Sequence, residues 1–171
     1  MVIQVVRIPE ERVAVLIGKN GSTKRMIIKK TKCNINIAEN EVMIRGDAIN
    51  ALTAENVVKA IGRGFSPKTG LKLLKEENTL IILNLPKSPK ALQRLKSRII
   101  GTRGKCRNNI ERLTGTCISV YGRTVAIIGG YDEAEKSAEA IRKIIHGAAH
   151  KNVYGFLEKK TEKRIIEPGM D

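Results

Sequence analysis

Aromatic residues are scarce in this chain of 171 residues, which has two phenylalanines, three tyrosines and no tryptophan. Five scattered rings are too few for the aromatic platform on which RRM domains and stacking OB-folds hold nucleic-acid bases, which argues against both folds. Cysteine is scarce as well. Cys33, Cys106 and Cys117 are odd in number and show no C-x-x-C spacing, which argues against a disulfide framework or a zinc site.

Long apolar runs are also missing. No run approaches the ~20 residues that a membrane-spanning helix needs. Residues 1–7 lack the basic region, the apolar stretch and the cleavage site of a secretory signal. We therefore expect a cytoplasmic protein without a membrane partner.

Signatures of catalysis and of cofactor binding are absent too. A Walker A loop ending in Gly104-Lys105 would need glycine where Ile99 stands. His146 and His150 are four positions apart, but no H-E-x-x-H motif or third ligand accompanies them. We expect no catalytic residue, no metal, no cofactor and no small-molecule substrate.

Acidic residues are missing from two windows of an otherwise mixed sequence. The net charge is +15 and the pI is near 10.0, a balance that points to nucleic acid or another anionic surface. Residues 12–38 contain seven Lys or Arg and no acid, and residues 78–110 contain eight and no acid. Each window holds a G-x-x-G loop, so we predict that both loops lie on a phosphate-facing side of the protein.

The loop and its surroundings occur twice. Ile17-Gly18-Lys19-Asn20-Gly21 recurs 83 positions later as Ile100-Gly101-Thr102-Arg103-Gly104. Glycine has no Cβ and accepts positive φ, so a G-x-x-G backbone can approach another chain closely. The helical pattern after each loop directs unpaired N–H groups and the positive end of the helix dipole to the same place, which suits phosphate.

The periodicity around both loops predicts one order of elements: strand, helix, loop, helix, strand, strand, helix. In the first copy we predict strands at residues 3–8, 34–37 and 41–45 and helices at 10–17, 22–31 and 47–61. In the second copy we predict strands at 79–85, 117–120 and 124–128 and helices at 88–99, 105–114 and 132–145, the last capped by Asp132. A short helix at 71–77 and a charged helix at 151–166 complete the prediction.

The offset of 83 residues pairs the two copies without a gap over about forty-five positions, which indicates an internal duplication. The predicted fold class is therefore α+β, with two copies of one small unit. We divide the chain into a first module at 1–64, a linker with a short helix at 65–78, a second module at 79–147, and a C-terminal helix and tail at 148–171. That helix, with Val153, Phe156, Leu157 and Ile165 as packing residues, is expected to fold back on the second module rather than to form a free arm.

These motifs resemble the KH family in its type I arrangement. The family pattern is I-G-x-x-G followed by a helix and a T-G-x-x-I strand entry, which the second copy shows as Thr114-Gly115-Thr116-Cys117-Ile118. The resemblance implies a three-stranded antiparallel sheet and three helices in each module. The chain departs from the pattern at Lys24 and Arg107, where isoleucine is usual, and at Lys32, where glycine is usual.

A narrower resemblance covers nearly the whole chain. Residues 61–67, 96–101 and 153–157 are similar to the archaeal and eukaryotic ribosome-biogenesis KH proteins of the Dim-two, or partner-of-Nob-one, type. This resemblance implies binding to precursor small-subunit rRNA near its 3′ end. It also implies, as protein partners, the endonuclease that trims that end, the rRNA adenine dimethyltransferase or a translation-initiation factor. The short chain looks like the archaeal form.

The KH resemblance also implies which residues touch single-stranded RNA. The loops would lie against its backbone, nearby cations would meet phosphates, and aliphatic residues of the middle strand would line a groove for bases. The predicted RNA-binding residues are Gly18, Lys19, Asn20, Gly21, Lys24, Ile35 and Ile37 in the first module, and Arg98, Gly101, Thr102, Arg103, Gly104, Lys105, Arg107, Ile118 and Val120 in the second.

We predict a non-enzymatic RNA-binding protein that takes part in small-ribosomal-subunit assembly and in processing of the pre-rRNA 3′ end. Two alternatives remain open from the sequence. The chain could be a KH-containing accessory subunit of an enzyme that degrades or processes RNA. It could also be a scaffold whose first module, which carries the departures Lys24 and Lys32, binds protein instead of RNA.

Overall fold

We describe residues 1–166 of the computed structural model, without the side chains of residues 160, 161 and 163–166. The chain divides into two units, Met1–Leu80 and Ile81–Asp171. The predicted α+β class is confirmed, because each unit contains a three-stranded antiparallel sheet with helices packed on it. Within the described residues no helix is long and apolar enough to cross a membrane.

The first unit follows the predicted order of elements. Its elements are β1 (Val2–Arg7), α1 (Glu10–Ile17), α2 (Ser22–Thr31), β2 (Asn34–Ala38), β3 (Glu41–Gly46) and α3 (Ala48–Gly62). Local chemistry explains the helix starts. Pro9 precedes α1, Glu10 and Glu11 stand in its first turn, and the Asp47 side chain caps α3 by accepting a hydrogen bond from the Asn50 N–H at 3.0 Å.

The sheet of the first unit has the order β1-β3-β2, so β3 is central and antiparallel to both neighbours. Period-two alternation decides which side chains face the helices. Ile35 pairs with Ile44, and both are buried in the core, whereas Asn36 pairs with Met43 on the outer face. The alternation in the sequence therefore predicts the buried and the outer face correctly.

The segment after α3 does not form the helix predicted at 71–77. Ser66 and Pro67 begin a short helix earlier, α4 (Pro67–Gly70), and a 3-10 turn follows at Leu71–Leu74. The Ser66 side chain caps α4 by accepting from the Thr69 N–H at 3.2 Å, and Lys75 returns to an extended conformation. The Ser-Pro start signal thus prevails over the leucine spacing.

The second unit repeats the order and adds a helix. Its elements are β4 (Asn78–Asn84), α5 (Pro89–Ile100), α6 (Lys105–Thr114), β5 (Cys117–Tyr121), β6 (Thr124–Gly130), α7 (Tyr131–Ile145) and α8 (His150–Ile166). The sheet order is β4-β6-β5. Asp132 does not cap α7, because β6 continues through Gly130 and the helix begins at Tyr131, which leaves Asp132 in the first turn.

The last helix is part of the core of the second unit. Val153 and Leu157 are buried in one cluster with residues of α5, α6, α7 and the sheet, and Phe156 packs against that cluster. This confirms that α8 folds back on its own unit. The expectation for Ile165 lies outside the described side chains.

Candidate nucleic-acid interface

The two G-x-x-G loops have the same backbone conformation. The first glycine has φ 73 and ψ 174 in Gly18 and φ 73 and ψ 175 in Gly101. This combination is open to glycine almost alone. The next-to-last residue is left-handed in both loops, with φ 53 for Asn20 and φ 55 for Arg103. The repeat seen in the sequence is therefore a repeat of backbone geometry.

The first glycine of each loop also lies against the helix that follows. A Cβ on Gly18 would stand 2.8 Å from the Thr23 backbone nitrogen, and a Cβ on Gly101 would stand 2.8 Å from the Cys106 backbone nitrogen. Both distances are shorter than real Cβ contacts. The missing Cβ therefore lets each loop fold tightly onto the first turn of α2 or α6.

Each loop leads into a helix start that no side chain caps. The N–H of the second glycine donates to the carbonyl of the first at 3.1 Å in both loops. Gly21 and Gly104 then stand at the N-cap positions of α2 and α6, without a side-chain capping bond. The first N–H of each helix donates back into the loop, from Ser22 to the Lys19 carbonyl and from Lys105 to the Thr102 carbonyl. The positive end of the helix dipole is therefore the feature of each helix start that suits an anion.

Cations surround both helix starts. Lys19, Arg103 and Lys105 are exposed, as are the uncharged tip residues Asn20 and Thr102. The loop tips thus combine exposed polar side chains with a helix start that no side chain caps. Their places fit contact with phosphates, which remains a prediction for each residue.

Arg107 stands in the first turn of α6 and is partly buried. Within residues 1–166 its Nε is the buried side-chain nitrogen without a hydrogen-bond partner. A buried guanidinium nitrogen without a hydrogen-bond acceptor lowers the stability of the fold. The departure from the family's usual isoleucine thus places a cation beside the second loop, with its Nε unpaired inside the protein.

Arg98, a predicted RNA ligand, has structural contacts. Its Nη1 and Nη2 donate to the carbonyl oxygens of Ile144 and Ala148, at 3.2 and 2.7 Å. Arg12 makes the same kind of contact in the first unit, donating to the carbonyls of Ile61 and Phe65 at 2.8 and 2.7 Å. Both arginines stabilise the C-terminal end of a helix, and a contact of Arg98 with RNA stays a prediction.

A cleft of about 440 Å³ opens beside the first loop, between α2 and the β2 edge of the sheet. Its lining residues come from α2, β2 and β3: Lys24, Asn34, Ile35, Asn36, Met43 and Arg45. Of these, the sequence predicted Ile35 as a wall of the groove and Lys24 as an RNA-binding residue. It did not predict Asn34, Asn36 and Arg45, whose amides and guanidinium make the cleft more polar than the expected aliphatic groove. Their polar positions in the strand alternation were the signal that could have found them.

The aliphatic residues predicted for the groove differ in how far their side chains are exposed. Ile35 and Ile118 are 3% and 4% exposed and belong to the cores of their units. Ile37 and Val120 are partly exposed. The isoleucines therefore offer a base at most an edge of the side chain, and the polar residues around them carry more of the accessible surface.

The C-terminal helix α8 contacts residues on both sides of the second loop. The ring nitrogen Nε2 of His150 lies 2.8 Å from the carbonyl oxygen of Arg98, to which it donates. The Tyr154 hydroxyl interacts with Cys106 and Asn109 of α6. Burial raises the pKa of the Cys106 thiol, although the hydrogen bond to Tyr154 and the charge of Arg98 oppose the shift. A buried, protonated thiol has a packing role.

Comparisons with known proteins identify the family. A family model described as KH domain matches residues 3–60, and one described as eukaryotic type KH-domain (KH-domain type I) matches residues 80–162. KH domain-containing protein MJ0443 of Methanocaldococcus jannaschii is 40% identical over 170 residues, which cover 94% of this chain and 75% of that protein. The crystal structure of Dim2p from Pyrococcus horikoshii OT3 matches with a TM-score of 0.88 and 43% identity, over 93% of this chain and 99% of that chain.

The chain belongs to the Dim2/pno1 family of tandem KH-domain proteins. A second Pyrococcus horikoshii structure, of an a/eIF2alpha-aDim2p-rRNA complex, also matches with a TM-score of 0.88 and 43% identity, over 94% of each chain. The chain spans about half the length of the eukaryotic relatives it matches. Pre-rRNA-processing protein pno1 of Aspergillus oryzae is 29% identical over 145 residues, which cover 78% of this chain and 56% of that protein.

Proposed function

We propose that this protein is a non-enzymatic factor of small-ribosomal-subunit assembly that binds single-stranded RNA through its two G-x-x-G loops. The geometry shared by the two loops carries the proposal. In each loop the first glycine has a backbone conformation that glycine almost alone adopts, and the loop leads into a helix that no side chain caps. Both loops lie in windows of the sequence that contain no acidic residue. Such a site binds the phosphates of a nucleic-acid backbone.

The polar cleft of the first unit is lined by Lys24, in the first turn of α2, and Arg107 stands in the first turn of α6, so both follow a loop closely. A strand whose backbone follows the loop would direct its bases there. KH modules bind about four nucleotides in this way. Two modules in one chain would therefore bind two short single-stranded segments.

We further propose the 3′ end of the small-subunit rRNA as the target. Support comes from the rRNA complex formed by the Pyrococcus horikoshii relative and from the pre-rRNA-processing name of the eukaryotic relatives. The same complex supports a translation-initiation factor as a protein partner. The trimming endonuclease and the adenine dimethyltransferase are proposed from the family resemblance alone, as is a cytoplasmic location.

Two matched double variants test the loops. Thr102→Asp with Arg103→Asp places two negative charges at the tip of the second loop, and Lys19→Asp with Asn20→Asp does the same in the first. We expect each variant to bind a labelled single strand from the rRNA 3′ end more weakly than wild type, in a fluorescence anisotropy titration. The slope of log Kd against log salt should become shallower by about 0.7 for every phosphate that the variant no longer neutralises.

A strand of the same composition in scrambled order serves as the RNA control, and circular dichroism checks that both variants fold. If both double variants bind like wild type, the loops are not the RNA site and the proposal fails. If only the second-loop variant loses affinity, RNA binding belongs to the second unit.

One observation favours a protein-docking role for the first unit as the second candidate. Ile3, Val5 and Met43 lie on the outer face of its sheet and are 52%, 55% and 43% exposed. Neighbouring exposed apolar side chains are typical of interaction surfaces. Retained RNA affinity in the Lys19→Asp, Asn20→Asp variant would support this role, and equal losses from the two loops would contradict it.

A further inference from the structure

Glu111 of α6 occupies the free edge of the sheet in the second unit. β5 is an outer strand in the order β4-β6-β5. The N–H of Ile118 in this strand donates to Glu111 Oε1 at 2.8 Å, so it is not bonded within the sheet. In the described part of the chain the other carboxylate oxygen, Oε2, has no hydrogen-bond partner. Oε1 is thus held by a hydrogen bond, and Oε2 is available to accept another.

The position of Glu111 matches the cleft of the first unit. Lys24 and Ile35, which line that cleft, stand 83 positions before Arg107 and Ile118. Glu111 follows Arg107 by four residues, so both lie on the same face of α6. By this offset, the Glu111 carboxylate, which is bonded to Ile118, lies at the part of the second unit that corresponds to the cleft.

Only the second unit has this group. The residue 83 positions before Glu111 is Ile28, whose side chain can accept no hydrogen bond. Glu111 is also the first acid after a basic window of 33 residues, 78–110. A negative charge on the helix that follows the second loop lowers the affinity for any RNA bound there, so it serves binding only where it distinguishes one base from another.

A carboxylate is an acceptor without a donor. Cytosine and adenine each present an exocyclic amino group that can donate to it, whereas uracil presents a carbonyl oxygen at the corresponding place. Acidic side chains accept from the cytosine amino group in the same way in DNA recognition. Uracil would bring two acceptors together, which is repulsive.

We propose that Glu111 is a specificity-determining residue of the second unit. Its Oε1 stays on the Ile118 N–H, and its Oε2 accepts a hydrogen bond from the amino group of a cytosine or adenine, which selects these bases over uracil. The inference rests on the proposed function, because the base must be delivered by a strand bound at the second loop.

Glu111→Gln tests the inference with minimal change of shape. The glutamine carbonyl still accepts from the Ile118 N–H, but an NH₂ donor replaces Oε2. We expect the full-length wild-type protein to bind a ten-nucleotide oligocytidine roughly tenfold more tightly than oligouridine at one salt concentration. The ratio should fall to about one or reverse in Glu111→Gln. Glu111→Ile, which copies the first unit, should lose the preference without reversing it.

A change in the RNA tests the same contact on the unaltered protein. Replacing cytosine by 2-pyrimidinone removes only the 4-amino group, and we expect wild type to bind the resulting strand roughly tenfold more weakly. Equal affinity for the two strands would overturn the inference even if the glutamine variant failed to fold. An unchanged cytidine-to-uridine ratio in a folded Glu111→Gln protein would overturn it as well.

The second-loop variant separates this inference from the proposed function. If Thr102→Asp with Arg103→Asp weakens binding of all strands while the base preference of wild type is absent, only the role of Glu111 fails. If wild type binds no strand, or the loop variant binds all strands like wild type, the proposed function fails and the inference fails with it.

Discussion

Two glycines in each loop look equivalent in the sequence but differ in the structure. Gly101 has φ 73 and ψ 175, and a Cβ added to it would stand 2.8 Å from the Cys106 nitrogen. Gly104 is left-handed, with φ 75 and ψ 12, and a Cβ there would meet no atom closer than 3.8 Å. In the second loop the first glycine is thus required by both conformation and space, and the second by conformation alone.

We therefore expect the two alanine variants to differ in stability. Gly101→Ala should lower the free energy of unfolding by about 3 kcal/mol or more, because it adds a backbone clash to a conformation closed to alanine. Gly104→Ala should cost about 1–2 kcal/mol, the usual cost of a left-handed residue with a Cβ. Urea unfolding followed by circular dichroism measures both values, and equal losses would contradict the difference in packing.

At the scale of elements, α8 and α6 share a buried contact near the second loop. Burial raises the pKa of the Tyr154 hydroxyl above its ordinary value of 10.0, the hydrogen bond from Asn109 opposes the shift, and the neighbouring Cys106 adds to it. The Cys106 pKa is raised above 9.0, again mainly by burial. Both groups are thus held in their neutral forms where the two helices meet.

This contact predicts a loss of stability at alkaline pH. A raised pKa in the folded state means that the neutral form stabilises the fold below the unfolded-state pKa and that this contribution is lost as pH rises through the folded-state pKa. The melting temperature of wild type should therefore fall from about pH 9 upward. Tyr154→Phe cannot ionise at this position and should show a smaller fall between about pH 9 and 11.

The exposed Tyr131 provides the matched control, since it is 69% exposed. Tyr131→Phe should follow the wild-type melting curve across the same pH range. If Tyr154→Phe and Tyr131→Phe cannot be distinguished, ionisation of Tyr154 does not loosen the contact between α8 and α6.

At the scale of the whole molecule, the chain divides within β4 rather than after α3. The first unit extends to Leu80, and Phe65 and Leu73 of the segment after α3 are buried, at 5% and 6% exposure. Gly70 also lies close to Ile61 of α3. The segment proposed as a linker thus contributes to the core of the first unit, which bears on where a module can be cut.

Fragments of the first unit test this division. Removing Phe65 and Leu73 should cost up to about 3–6 kcal/mol, because each large apolar side chain contributes about 1.5–3 kcal/mol when buried. A fragment of residues 1–64 should therefore melt at least about 10 °C below a fragment of residues 1–77. Equal melting temperatures would show that the first module ends at residue 64 and that the following segment is a true linker.

Most of the architecture could be predicted because its signals are local and repeated. Period-two alternation placed β2 and β3 with their buried and outer faces, and the offset of 83 residues predicted the corresponding strand pair in the second unit, β5 and β6. It did not predict that β6 is buried on both faces. The helix starts that were misplaced, at Tyr131 and Pro67, depend on where a neighbouring strand or turn ends. The first residue of such a helix depends on which of two neighbouring sequence signals, the end of one element or the start of the next, prevails.

By itself the sequence determined the class of fold, the duplication, both loops and the basic surface around them, because each rests on residue type and spacing. Only the tertiary structure decided which side chains meet. In the structure Arg98 donates to the carbonyls at the end of α7, a polar cleft is lined by Asn34 and Asn36, and Glu111 accepts a hydrogen bond from the edge strand β5. These contacts join residues distant along the chain or place a helix face against a strand edge, and no local period encodes them.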